Sequence, residues 1–332
     1  MRRIEVDPRE PEEAELRPAV RALRDGELVA FPTETVYGLG ARADEVGSVE
    51  RIFRAKQRPP GHPLIVHVDG RGRAVRLADD WPEVAGALAE RFWPGPLTLV
   101  VSRSASISDV VTGGLSTVGL RVPSHPVARA LIEWAEVPVA APSANPHTRL
   151  SPTRAEHVVE GLGDRVDLVV DAGSTQVGVE STVLSLAEER PTILRPGMIG
   201  REALCEVVGR VVYGDDVASP EEPRPAPGMA AKHYAPEAIV RVRSGAAMVE
   251  EFERASARTG VVAVGEWEGA RPDRSDRVIE LPREVEGYAR GLYEALHRLD
   301  RLGCEEIWIE RPPSGEEWRA VQDRLSRAAA TG

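Results

Sequence analysis

The chain contains 332 residues, of which 42% are hydrophobic and 29% are charged, and its formal net charge is −11. This length predicts about two domains with ordinary hydrophobic cores. The acidic balance argues against general nucleic-acid affinity, which normally requires a basic surface, although it allows a local basic pocket.

The sequence gives no sign of export or membrane insertion. Its first residues, MRRIEVDPREPEEAEL, are charged and lack the apolar core of a signal peptide. No apolar run is long enough to span a bilayer. Cys205 and Cys304 lie far apart without a CxxC partner, so neither a disulfide framework nor a zinc site is indicated. We therefore predict a cytoplasmic protein with no membrane partner.

The hydrophobic pattern predicts helices and strands in mixed order over the first 213 residues, with no internal repeat. The predicted helices cover residues 11–25, 49–56, 81–93, 128–135 and 152–162. The predicted strands cover residues 29–40, 63–68, 97–101, 117–122, 137–141, 167–171, 179–186 and 192–195, with the last two as a hairpin and a glycine-containing loop at 110–116.

The composition changes near residue 214, where GDDVASPEEPRPAPGMAAKHYAP is rich in proline and acidic residues and is typical of a linker. Beyond it, four predicted strands alternate with helices, as in a small Rossmann-like α/β domain. No GxGxxG follows the first of these strands, so we assign no nucleotide site there. The predicted fold is α/β, with domains at 1–213 and 237–332 joined by a linker at 214–236.

The stretch 31–68 is the most informative part of the sequence. Its first part is predicted to be a strand that runs into a glycine-bearing loop. Because side chains alternate between faces in an extended chain, we expect Thr33, Thr35 and Tyr37 to share one side.

Ser48 is the expected N-cap of the helix that follows, and the apolar stripe of this helix continues to Lys56. A charge on that inner face is costly unless an anion meets it. The alternative is that Lys56 extends to solvent from the helix end. Lysine occurs only at Lys56 and Lys232 among 42 basic residues, which favours a site that needs a compact ammonium group.

The residue pattern of the predicted strand 117–122 also allows two interpretations. Thr117, Gly119 and Arg121 share one face, which suits a ligand that approaches the backbone closely. The same pattern fits the solvated face of an antiparallel sheet.

Ser151 is predicted to be a helix N-cap followed by Pro152 at the first helical position, which would bring a helix N-terminus to the site. Ser181 and Arg195 lie on the predicted hairpin, and each alone is a weak signal of a functional site.

The sequence contains no GxxxxGK[ST], HExxH, GxSxG or kinase signature. A nucleotide site would therefore need scattered lysine, arginine and hydroxyl groups.

Ten short segments in a fixed order resemble the YrdC-like family, specifically the two-domain threonylcarbamoyl-AMP synthases. They are PTETVYGLG, KQRP, HPLIVHV, GPLTLV, STVGLRVP, APSANP, SPT, VESTV, ILRPG and PGMAAKHYAP, across residues 28–236. The resemblance implies a twisted, concave α/β sheet whose cavity binds ATP and L-threonine. It also implies a linker that folds over this cavity as a lid and a small C-terminal domain.

The reaction implied by the resemblance joins L-threonine, bicarbonate and ATP into L-threonylcarbamoyl-AMP and releases pyrophosphate. The product would pass to a separate threonylcarbamoyl transferase that modifies certain tRNAs beside the anticodon, so tRNA is an indirect partner. Mg²⁺ is expected to arrive with ATP, because no carboxylate cluster marks a protein metal cage.

The resemblance also implies residue roles, with Lys56 and Arg58 as the catalytic pair. L-Threonine would be held by Thr35, His67, Arg121, Ser181 and the backbone of Ala141. ATP would be held by Arg58, His62, Thr117, Ser143, Asn145, Ser151, Arg195 and Tyr234.

The sequence departs from the family at several positions. Gln57 and His62 replace the frequent glycine and asparagine, a usual glycine is missing near Thr148, and Ala230 and Ala231 replace a bulkier pair.

Two other functions are kept as alternatives. One is carbamoyl transfer to another acceptor, although the zinc-finger cysteines and acylphosphatase-like region of such enzymes are not visible. The other is an RNA-binding module, against which the acidic balance argues.

Overall fold

A computed structural model describes residues 1–214, 233–269 and 275–330. Within these residues the chain forms an 11-stranded mixed sheet and a four-stranded parallel sheet, both covered by helices. This architecture confirms the predicted α/β fold with a second, smaller α/β unit. None of the described helices has the length and apolar character needed to cross a bilayer.

The larger sheet contains β1 to β11 and is packed against α1 to α8. The strands are β1 (Arg2–Glu5), β2 (Val29–Pro32), β3 (Tyr37–Arg42), β4 (Ile65–His67), β5 (Leu97–Ser102), β6 (Thr117–Arg121), β7 (Val139–Ala140), β8 (Leu168–Asp171), β9 (Thr182–Ser185), β10 (Thr192–Arg195) and β11 (Val212–Tyr213). The helices are α1 (Glu13–Arg24), α2 (Val46–Lys56), α3 (Arg71–Leu77), α4 (Glu83–Phe92), α5 (Asp109–Thr112), α6 (Pro126–Ala135), α7 (Ala155–Leu162) and α8 (Arg201–Val208).

The strand order of this sheet is β1-β8-β2-β3-β7-β4-β6-β5-β9-β10-β11. At its centre, β4 runs parallel to β6 and antiparallel to β7. The register places His67 opposite both Arg121 and Val139. Strands distant in sequence are thus brought side by side, and polar residues at their ends meet at one edge of the sheet.

The segment 29–40, predicted to be a strand that runs into a glycine-bearing loop, is instead a hairpin of β2 and β3. Residues 33–36 form the turn, in which the Thr33 hydroxyl donates to the Val36 carbonyl at 2.7 Å. Tyr37 therefore begins a new strand, and the expectation that it shares a strand face with Thr33 and Thr35 is wrong. The strands pair closely because Gly40 has no side chain, since a Cβ there would lie 2.7 Å from the Phe31 ring.

Two predicted helix caps are also wrong. Glu45 occupies the N-cap of α2, while Ser48 lies inside the helix and donates its hydroxyl to the Gly26 carbonyl at 3.1 Å. Arg154 occupies the N-cap of α7, so Ser151 lies before the helix. In both cases a contact with a distant part of the chain engages the serine hydroxyl. The predicted loop at 110–116 also contains part of α5.

The smaller sheet has the order β12-β15-β13-β14, and all its strands are parallel. The elements are β12 (Ile239–Arg243), α9 (Gly245–Phe252), β13 (Thr259–Val264), β14 (Val278–Leu281), α10 (Val285–Arg301), β15 (Glu306–Glu310) and α11 (Arg319–Ala329). Its core is continuous with three buried residues of the first unit, Val36, Leu150 and Val179. Of the predicted linker, residues 215–232, including Ala230, Ala231 and Lys232, lie outside the described part of the chain.

Candidate active site

A cavity that opens to solvent lies where the ends of the central strands meet the end of the linker, and its empty space is about 650 Å³ when the open solvent at its mouth is included. Its lining includes every residue that the sequence resemblance placed in the site except three, His62, Thr117 and Ser151. The predicted residues in the lining are Thr35, Lys56, Arg58, His67, Arg121, Ala141, Ser143, Asn145, Ser181, Arg195 and Tyr234. The fold therefore gathers most of the predicted set around one space.

Lys56 stands at the end of α2 and is only 3% exposed, which confirms that it points inward. Its ammonium group donates to the carbonyl oxygens of Ser143 and Asn145. Burial lowers the pKa of Lys56 well below its usual value, and the nearby Arg58 guanidinium lowers it further. An incoming anion would therefore stabilise the protonated form of this lysine.

Arg58 is buried beside Lys56 and donates to the Pro63 carbonyl at 3.2 Å. The pKa of Arg58 is lowered to about 10, mainly by burial, and the positive charge of Arg195 contributes to this shift. Within the described residues, its Nε atom is buried and has no hydrogen-bond partner. A buried N–H group without a partner is energetically costly, so this edge of the cavity suits an acceptor such as a phosphate oxygen.

Arg195, at the end of β10, and Ser181, directly before β9, form another part of the wall. Arg195 donates from Nε and Nη2 to the Ser181 carbonyl and from Nη2 to the Ser181 hydroxyl at 3.1 Å. The Ser181 hydroxyl also lies 2.8 Å from the Thr98 hydroxyl. These bonds fix the guanidinium against the chain and hold both side chains at the cavity.

Arg121 is paired with a carboxylate that sequence reasoning missed. Its Nη2 atom donates to Glu34 Oε1 at 2.7 Å and to the Thr35 hydroxyl at 3.2 Å, and both charged side chains are almost completely buried. Glu34 also accepts from the Ser124 backbone N–H at 3.1 Å. The pair fixes the orientation of Arg121 and compensates part of its charge.

His67 contributes a neutral imidazole. Burial lowers its pKa to about 3, with Arg121 as the second cause. Its Nδ1 atom is buried without a partner among the described residues, so it can bind a polar ligand. The Ala141 backbone N–H donates to the Ile65 carbonyl at 3.0 Å. A ligand could therefore contact the backbone of Ala141 through its carbonyl oxygen.

The three predicted residues outside the lining occupy different places in the fold. His62 is linked to the cavity by His147, whose ring centroid is 5.5 Å away. Thr117 begins β6, at the opposite end of that strand from Arg121. Ser151 is fully buried behind the wall, where its hydroxyl donates to Glu180.

Glu180, His147 and His233 also line the cavity, and sequence reasoning did not identify them. Burial lowers the pKa of His147 to about 4, and Arg58 contributes to this shift. Glu180 directly precedes Ser181 in VESTV, so the sequence contained a signal: an arginine-rich buried site requires carboxylate partners.

The described part of the linker begins at His233, and Tyr234 lines the cavity. Tyr234 is 1% exposed and has a left-handed backbone with φ 58°. The next residue, Ala235, donates its N–H to the Thr148 carbonyl at 3.0 Å. Thr148 itself has φ 68°, so the loop keeps a glycine-like backbone although the family's usual glycine is missing.

The described residues of the site offer no preformed metal cage. Among the residues that the structure describes, no group of three or more His, Cys, Asp or Glu side chains could hold a metal ion. The two buried carboxylates near the cavity, Glu34 and Glu180, each form an ion pair with an arginine.

Comparison with known families gives two matches that cover most of the chain. The Sua5/YciO/YrdC family, described as "Telomere recombination", matches residues 21–197. The family described as "Threonylcarbamoyl-AMP synthase, C-terminal domain" matches residues 199–330.

Individual relatives agree with these matches. The chain is 42% identical to a Pyrococcus abyssi threonylcarbamoyl-AMP synthase, covering 96% of this chain and 95% of that protein. It is 40% identical to the Bacillus subtilis protein of the same name, covering 94% and 92% of the two chains. A crystal structure of P. abyssi Sua5 complexed with L-threonine superposes with a TM-score of 0.90, at 40% identity, over 99% of this chain and 98% of that one.

Proposed function

The chain belongs to the Sua5/YciO/YrdC family, and on that premise we propose that it synthesises L-threonylcarbamoyl-AMP from L-threonine, bicarbonate and ATP, with release of pyrophosphate. The observation that carries this proposal is the grouping of four cationic side chains around one cavity of an acidic protein. These side chains are Lys56, Arg58, Arg121 and Arg195. Such a cavity suits a substrate set that contains a triphosphate and an amino-acid carboxylate.

The cations fall into two groups. Arg121 is held by Glu34 beside Thr35 and the neutral His67, an arrangement that supports binding of an amino acid whose carboxylate meets the guanidinium. Lys56, Arg58 and Arg195 carry the rest of the positive charge and would neutralise the phosphates of ATP. In this assignment threonine and nucleotide share the cavity, with the reacting atoms between them.

The proposed chemistry needs no covalent protein nucleophile. The threonine amine and bicarbonate form a carbamate and water. A carbamate oxygen then forms a bond with the α-phosphorus of ATP, and the bond from that phosphorus to the bridging oxygen breaks as pyrophosphate leaves. The protein would contribute positioning of the two substrates and stabilisation of the charge that develops on the phosphates.

Mg²⁺ would be a companion of the nucleotide. The carboxylates near the cavity are paired with arginines, so this chain's residues fit a metal ion held by phosphate oxygens and water. Such an ion would add positive charge at the leaving pyrophosphate.

The product is a mixed anhydride that water would hydrolyse, so the site must exclude solvent. We assign part of this task to Tyr234, which is buried over the cavity at the end of the linker. A separate threonylcarbamoyl transferase would consume the product in the modification of tRNA, which makes tRNA an indirect partner.

An omission experiment tests the proposal. The protein is incubated with ATP and Mg²⁺ in the presence or absence of L-threonine and bicarbonate, and pyrophosphate release is followed. We expect release only when both are added. Release without threonine would indicate another acceptor, and RNA binding without any release would support a binding module.

A further inference from the structure

The smaller α/β domain reaches into the wall of the cavity through two side chains. Arg324 of α11, 1% exposed, donates from Nε to Glu180 Oε2 at 2.7 Å. Tyr293 of α10 is also buried, and its hydroxyl donates to the same oxygen at 3.2 Å. Because Glu180 lines the cavity, these residues of the smaller domain lie one side chain away from that space.

Glu180 connects this contact to the proposed ATP residues. Its other oxygen, Oε1, accepts the hydroxyl of Ser151. Arg324 also donates from Nη1 to the carbonyl of Pro196 at 2.9 Å, directly after Arg195. One guanidinium thus fixes two segments of the cavity wall, those that carry Ser181 and Arg195.

Charge balance gives this contact a function beyond packing. Burial alone raises the pKa of Glu180, but Arg324 and then Arg195 outweigh it and hold the pKa below its usual value, so the carboxylate stays ionised. Without Arg324, the positive charges that the described residues place near this carboxylate would be those of Arg195 and Lys56. Both would be drawn toward Glu180 and away from bound phosphates.

Arg324 and Tyr293 also contact Tyr234, at the end of the linker. The Tyr234 ring lies 5.1 Å from the Arg324 guanidinium carbon and 6.1 Å from the Tyr293 ring centroid. Docking of the smaller domain and placement of Tyr234 over the cavity therefore depend on the same side chains.

We propose that Arg324 and Tyr293 are positioning residues through which the smaller domain completes the active site, by holding Glu180 so that Arg195 and Lys56 remain available to ATP. This inference rests on the proposed function for the identity of the nucleotide. A buried ion pair is a weak source of net stability compared with apolar packing, which fits a role in organising the site.

The test compares four variants of the full chain by calorimetric ATP binding without threonine. Arg324→Met removes the direct ion pair of Glu180 and leaves its charge to Arg195 and Lys56, so we expect ATP affinity to fall by roughly tenfold or more. Tyr293→Phe removes one hydroxyl and should weaken ATP binding about threefold. The double variant Glu180→Gln with Arg324→Met removes both charges and should recover most of the affinity lost in Arg324→Met.

Arg301→Met is the matched control, because Arg301 of α10 also crosses the domain interface, to Glu160, but is 41% exposed. It should bind ATP like the wild type. Wild-type affinity in Tyr293→Phe would overturn the inference even if Arg324→Met does not fold. A double variant that binds ATP no better than Arg324→Met would also overturn it. Lower thermal stability in Arg324→Met without weaker ATP binding would also overturn it. A wild type that binds ATP but forms no threonylcarbamoyl-AMP would refute only the proposed function.

Discussion

Removal of the Arg121 guanidinium tests the proposed threonine site and the stability of the domain at the same time. In Arg121→Met, Glu34 becomes a buried carboxylate without its partner, since both side chains are at most 4% exposed. Breaking a buried pair in this way costs about 3–5 kcal/mol. For a domain of this size, the corresponding fall in Tm is on the order of 10 °C.

A second change separates stability from binding. In the double variant Glu34→Gln with Arg121→Met no uncompensated charge remains, so we expect most of the lost Tm to return. L-Threonine affinity should stay low in both variants, because each lacks the guanidinium that meets the carboxylate. Loss of one charge-assisted hydrogen bond corresponds to a roughly ten- to hundredfold weaker affinity.

Thermal unfolding and calorimetric titration with L-threonine measure the two quantities independently. Arg2→Met serves as the control, because it breaks the exposed pair of Arg2 with Glu27 and should change neither quantity appreciably. Threonine affinity equal to that of the wild type in the double variant would refute the assignment of Arg121. A double variant as unstable as Arg121→Met would refute the charge argument.

Three further predictions concern other parts of the structure. Because burial lowers the pKa of Lys56, ATP binding should be accompanied by proton uptake and should weaken as pH rises. Calorimetry in buffers of different ionisation enthalpy measures the proton uptake, which should vanish in Lys56→Met. Tyr234→Ala should lower the ratio of threonylcarbamoyl-AMP to pyrophosphate, because water reaches the mixed anhydride, and an unchanged ratio would refute the lid role. Burial lowers the pKa of His297 to about 4 from an ordinary 6.5, so the unfolded chain binds more protons between these values and stability should be lost as pH falls through them. Asn in place of His297 should make Tm less sensitive to pH over that range, and an equal pH dependence would contradict the assignment.

Local sequence patterns predicted those features that depend on nearby residues. The amphipathic stripe of α2 predicted that Lys56 is buried, because helix periodicity alone determines which face it occupies. The hairpin of β9 and β10 was also predicted, and the structure confirms it. The segments that resemble a known family contain most of the residues that line the cavity.

Features that depend on distant residues were missed or were wrong. Ser151 has the local pattern of a helix N-cap, but its hydroxyl is engaged by Glu180, 29 residues away. The carboxylate of Glu180 in turn meets Arg324, 144 residues away, which no local pattern reveals. β1 was missed because its residues are mostly exposed and charged, and its strand conformation depends on pairing with β8.

The central claim is that one cavity joins threonine, bicarbonate and ATP. Mass spectrometry of the product formed from isotope-labelled bicarbonate and differently labelled L-threonine tests it most directly. We expect a single adenylate that carries both labels, in an amount equal to the pyrophosphate released. An adenylate that carries the threonine label alone would show direct activation of the amino acid and would contradict the account.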